Sequence, residues 1–162
     1  MAAHDDLATV GCKRGGSLMR GMVVGGLVAG TIDIAAACLI TGHPPDFILH
    51  TIAGGLLGKS SFAGGMPTVI LGLVLQEMMG MLIAAVFGLA ALRASVLTRL
   101  WVPSGLAYGV VIFTVMNYVV VPLSAWRVVP HFKPTSFIEN MLAMLLFGLI
   151  VAFFARTAVR PR

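Results

Sequence analysis

Two acids stand where acids are costly. Asp33 and Glu77 each interrupt a long apolar run, over residues 21–41 and 67–92. A bare carboxylate within a membrane span costs about 2.5–3.5 kcal/mol on insertion scales, so such groups face protein or water and often mark ion or proton chemistry. Gln76, Asn117, Tyr118, Glu139 and Asn140 accompany them as the polar residues of neighbouring runs. Carboxylates and carboxamides at one level form a donor set for a cation or proton; the same set serves equally as interhelical hydrogen bonding. For Asp33 the structural alternative is a neutral carboxyl, or one bonded to Asn117, Tyr118 or a backbone carbonyl. For Glu139 it is a carboxylate at a helix N-terminus, where the dipole favours it.

A second group sits between the runs. Asp46 and His50 are four residues apart, one helical face, with His43 just before them and His131 in a later loop. With Glu77 or Glu139 they make a weak His/carboxylate metal candidate. The spacing is unspecific and no H-E-x-x-H or paired-cysteine motif supports it, so the plainer reading is histidines at a wet interface. Cys12 and Cys38 lie in a basic tail and an apolar run, which predicts no disulfide between them and no metal pairing. There is no Walker A loop, no dinucleotide fingerprint and no G-x-S-x-G. No cofactor is expected, and the chain is read as non-enzymatic.

The elements that must hold these residues follow from composition. The chain has 162 residues, 59% of them hydrophobic and only 10% charged, with a mean hydropathy of +0.99. Soluble domains carry about 25% charged residues, and a globule this small leaves too much surface in water to hide so much apolar area. A soluble enzyme, a disordered chain and an ordinary nucleic-acid module are excluded. The expectation is an all-α integral membrane protein, one four-helix transmembrane bundle whose partners are the lipid bilayer and other membrane subunits or itself.

A span needs about 20 mainly apolar residues. Four runs qualify, 21–41, 67–92, 101–123 and 137–155, leaving tails at 1–20 and 157–162. Pro67 and Pro103 suit first turns, Pro122 a helix end, and Ser136 with Glu139 a capping box opening the last helix. Trp101, Tyr118 and Trp126 fall near expected interfaces, which favour aromatic rings. The first run resembles a signal peptide, but Asp33 interrupts it and Ala35 stands three before Cys38 where a lipoprotein signal prefers a larger aliphatic; a retained helix is expected. Between the first two spans, residues 45–58 are apolar but too short to cross, which predicts an interfacial or re-entrant helix.

Lys13, Arg14, Arg20, Arg93, Arg99, Arg156, Arg160 and Arg162 fall on the side of the tails and middle loop, against Lys59, Arg127 and Lys133 opposite. That asymmetry places both termini in the cytoplasm. Asp33, 13 residues past Arg20, then lies roughly 20 Å across, and Glu77, 16 before Arg93, roughly 24 Å. Asn117 and Glu139 follow at roughly 26 Å, so the polar residues share an outer layer.

Small residues say how the helices meet. Gly26, Gly30 and Ala37 share a face with Asp33, and Gly72, Gln76, Gly80, Ala84 and Gly88 form an every-fourth-residue ridge beside Glu77. Such stripes let helices approach closely and are more often packing than pore. Gly26-Leu27-x-x-Gly30 recurs as Gly105-Leu106-x-x-Gly109, a faint sign of two repeated hairpins.

The stretches Ala53-Gly54-Gly55-Leu56-Leu57-Gly58-Lys59-Ser60-Ser61-Phe62-Ala63-Gly64-Gly65 and Gly105-Leu106-Ala107-Tyr108-Gly109, continuing through Met116-Asn117-Tyr118-Val119-Val120-Val121-Pro122-Leu123-Ser124-Ala125, carry a family likeness. The chain resembles a widespread group of uncharacterised four-helix inner-membrane proteins of Gram-negative bacteria. The resemblance covers most of the chain beyond the N-terminal tail and implies a location and a fold, with no activity. Two functions are expected: a non-enzymatic subunit or assembly factor of a larger membrane complex, or a small homo-oligomeric transporter or channel using Asp33 and Glu77.

Overall fold

A computed structural model describes residues 2–127 and 134–159, with side chains described for 19–127 and 135–158. His131 and Lys133, and the tail arginines Arg160 and Arg162, lie outside the described residues. Those described are almost wholly helical, with no strand. In chain order the elements are α1 (Ala2–Thr41), α2 (Pro45–Leu57), a 3-10 turn (Gly58–Ala63), α3 (Gly65–Arg93), α4 (Val96–Arg99), α5 (Trp101–Val115), a π-helical turn (Met116–Val120), α6 (Val121–Leu123) and α7 (Pro134–Val159). Four helical stretches, Met19–Thr41, Gly65–Arg93, Trp101–Leu123 and Thr135–Ala158, are long and apolar enough to cross a membrane.

Glycine sets their register. A Cβ on Gly80 would lie 2.7 Å from the Gly26 carbonyl oxygen, so α1 and α3 touch backbone to backbone. Gly105 and Gly109 of α5 do the same against Gly148 and Leu145 of α7. In each hairpin the Gly-Leu-x-x-Gly unit therefore faces the next long helix, α3 for α1 and α7 for α5. Gly25 meets Phe154, which brings α1 against α7 as well. The paired positions run in opposite senses, so the four long helices alternate in direction, and the α1 end near Gly21 and the α7 end near Ala158 lie together at one end of the bundle.

The apolar centre contains Phe87, Ile112, Phe147, Val151 and Ala152, all buried. Most other large apolar side chains point outward. At the end holding Gly21 and Ala158, Arg156 sits 5.5 Å over the Trp101 ring, a cation–π contact between α7 and α5.

Three local features differ from expectation. The helix carrying Asp33 begins at Ala2, so residues expected as a separate tail continue it. α7 is already helical at Pro134, which puts Ser136 inside the first turn and leaves Ser136–Glu139 no role as a capping box. The third long helix widens into a π turn at Met116–Val120 before ending at Leu123. Pro122 offers no N–H to the Tyr118 carbonyl and its ring crowds that oxygen, which accounts for the widened turn just before it.

Candidate functional site

The glycine contact between α1 and α3 brings Asp33 and Gln76 together. Gln76 Nε2 donates to Asp33 Oδ2 at 2.8 Å. Beside the pair is a cavity of about 20 Å³, lined by Asp33, Gln76, Met79, Ile112, Met116 and Phe147. That is room for about one water and no continuous passage.

Glu77, one residue on, is rotated by about 100° and meets the other flank of α1. Its Oε1 lies 3.3 Å from Thr31 Oγ1, but that hydroxyl also reaches the Leu27 carbonyl at 2.9 Å, and it has one proton for both. Oε2 is buried with no hydrogen-bond partner. It rests against Gly30, where an added Cβ would come within 3.1 Å of it. The absent side chain at Gly30 is what makes room for the carboxylate.

The remaining expected members do not join this pair. Asn117 is 7% exposed and donates through Nδ2 to the Phe113 carbonyl of its own helix at 2.9 Å. Tyr118 is 58% exposed. Glu139 is exposed and Asn140 half-buried on the first turns of α7. The seven polar residues thus divide into one interhelical pair, a carboxylate on the seam, and four that stand apart.

The metal candidate does not assemble. His43 Nδ1 lies 2.9 Å from the Thr41 carbonyl, which only accepts, so that nitrogen carries the proton. Its ring stacks on Phe47 at 4.3 Å. His50 Nδ1 lies 2.9 Å from Thr68 Oγ1. That hydroxyl is also 2.8 Å from the carbonyls of Ser61 and Gly65. Its single proton goes to a carbonyl, so His50 donates from Nδ1. Asp46 is exposed in the first turn of α2, where a carboxylate suits the helix dipole. Among the described residues no three His, Cys, Asp or Glu side chains gather closely enough to hold a metal, and Cys38 is a free thiol.

Sequence reasoning missed two features. One is a fastening of α2 onto the chain after α6: Trp126 Nε1 donates to the Thr51 carbonyl at 3.1 Å and Ala125 N to the Gly55 carbonyl at 2.8 Å. Beneath it Ser61 is fully buried, its Oγ without a partner.

The other is an open side of the bundle. Between α3 and the third long helix (α5 with its π turn and α6) lie two adjoining cavities of about 570 and 340 Å³, the larger walled also by Thr51, Ile52, Gly55 and Leu56 of α2. They share Met79, Met116 and Val120, so they form one slot along the two helices. The slot is bridged toward the end holding Gly21 and Ala158 by Tyr108, whose Oη donates to the Ile83 carbonyl at 2.7 Å and whose ring meets Phe87 at 5.0 Å. The available signal was negative: Gly105 and Gly109 commit one face of α5 to α7, leaving Val111, Val115 and Val119 on faces with no assigned neighbour.

No protein-family model, no curated protein and no solved structure matches the chain.

Proposed function

We propose that this chain is a non-enzymatic integral membrane protein acting as a subunit or assembly factor of a larger membrane complex. The observation that carries it is the 2.8 Å Gln76–Asp33 bond. Asp33, one of the two acids expected to serve transport, is spent joining α1 to α3, beside a space for about one water. Polar side chains used this way are interhelical glue, and they fix one arrangement of helices for partners to meet.

In this reading the four long helices span a bacterial inner membrane with both termini cytoplasmic, as the basic residues favour. α2 lies at the opposite interface, where Trp126 and Phe62, 6.4 Å apart, suit the headgroup region. The resemblance to small four-helix inner-membrane proteins supports the same location. The test is the size of the native complex in mild detergent. Wild type is expected to co-purify with fixed partner subunits, and Gln76→Leu to lose them while the chain stays in the membrane. A wild-type chain that purifies without stoichiometric partners would overturn the reading.

One observation favours a second reading, a homo-oligomeric cation or proton carrier. Glu77 keeps a buried, unpartnered Oε2 on the α1–α3 seam, an acceptor that a proton or cation would satisfy. That reading requires flux that Glu77→Gln abolishes while the oligomer persists.

A further inference from the structure

We propose that the slot between α3 and the third long helix, walled at its wide end by α2, binds one uncharged single-chain lipid with a hydroxyl head, its head at Gln76 and its tail running toward Tyr108. The inference goes beyond the subunit reading and depends only on this side of the bundle facing lipid.

Size and shape come first. Cavities of about 300–1,000 Å³ with an apolar wall and a few polar groups are typical ligand sites, and the two parts here measure about 570 and 340 Å³. From Gln76 to Val86, the far end of the narrower cavity, the slot follows 10 helical residues, or roughly 15 Å. That is long and narrow, the form of a chain rather than a ring system. Met79 and Met116 stand at its middle, and their unbranched side chains adapt to a flexible occupant.

The polar groups that can meet an occupant are confined to the wider cavity. Gln76, Thr51, Ser124 and Trp126 line the wider cavity, whereas the narrower one has the Tyr108 hydroxyl alone, already donating to Ile83. At the wide end most protons are used. Thr51 Oγ1 donates to the Phe47 carbonyl at 2.9 Å, Ser124 Oγ to the Val121 carbonyl at 2.7 Å, and Trp126 Nε1 to Thr51. Gln76 gives one N–H to Asp33 and retains a second N–H and its Oε1. A hydroxyl satisfies both, donating to Oε1 and accepting from Nε2.

Charge decides against other lipids. No Lys or Arg lines either cavity, and Asp33 stands directly behind Gln76. A carboxylate or phosphate head would enter without a counter-charge and toward an acid, a costly burial. The complement of this lining is a neutral head.

The test is photolabelling of the full-length protein in phosphatidylcholine nanodiscs. The probes are a diazirine-bearing fatty alcohol and the fatty acid of equal length, with labelled peptides mapped by mass spectrometry. The alcohol is expected to label the stretch around Met116–Val120 and Met79 saturably, and unlabelled alcohol to compete. Val120→Trp and, independently, Val115→Phe fill the slot and are expected to cut labelling about tenfold, the worth of about two buried methylenes. Each variant is compared at unchanged helicity and elution volume, and either one that keeps them suffices. Gln76→Leu is expected to erase the preference for alcohol over acid and retain tail labelling. Labelling that is unsaturable and spread over outward residues such as Leu73 and Leu142 would overturn the proposal, as would equal labelling by the acid. A polypeptide cross-linked in the slot in native membranes would overturn it too.

Discussion

A carboxyl group held between apolar helices needs a donor, and Gln76 supplies the one for Asp33. Removing either partner leaves the other unpaired; interhelical hydrogen bonds of this kind average about 0.6 and reach about 1.7 kcal/mol. Gln76→Leu is therefore expected to lower stability by about that amount in reversible unfolding from mixed micelles. Asp33→Asn, whose amide oxygen still accepts, is expected to cost less, and equal losses would contradict the pairing. Tyr108→Phe removes the bond to the Ile83 carbonyl and is expected to cost about 0.5–1.5 kcal/mol in the same measurement. Asp33, Gln76 and Glu77 are legible in the sequence as costly polar groups in apolar runs. Their division between two flanks of α1 is not, because only the Gly26–Gly80 contact fixes which of two adjacent residues faces inward.

At the scale of elements, close approach does the positioning. Gly80 and Gly148 each occupy a site where a Cβ would strike the backbone of the facing helix. Gly80→Val is expected to force α1 and α3 apart and to destabilise by about 1–3 kcal/mol or more, the cost of overpacking. Gly65, with φ +59° and open space around it, tests the contrast: Gly65→Ala meets backbone strain without a clash and is expected to cost less than Gly80→Val by unfolding midpoint. The four long apolar stretches were legible because about 20 consecutive apolar residues leave little choice. Helix ends were less so. Ser136 with Glu139 matches a capping box, yet Pro134 already begins the helix. The π turn at Met116–Val120 depends on how Pro122 displaces a carbonyl, which no hydrophobic pattern reports.

The whole molecule is a bundle closed on three sides. α1 is joined to α3 and α7, and α7 to α5, by small residues, whereas the side between α3 and the third long helix is held at Tyr108, walled by α2 at its wide end and otherwise open. Composition and small-residue stripes indicated a compact bundle; an open side is a property of how faces are left over and is invisible until all four helices are placed. If the basic residues set orientation, a reporter fused after the C-terminus will be active only in its cytoplasmic form. Asp33 is held as a tie between α1 and α3, and neither it nor Glu77 is expected to pass ions. That expectation is tested most directly by cation and proton flux into liposomes containing the purified protein, alongside Asp33→Asn and Glu77→Gln. Flux no greater than in empty liposomes is expected for all three proteins. Robust wild-type flux that either substitution abolishes, with the oligomer intact, would contradict it.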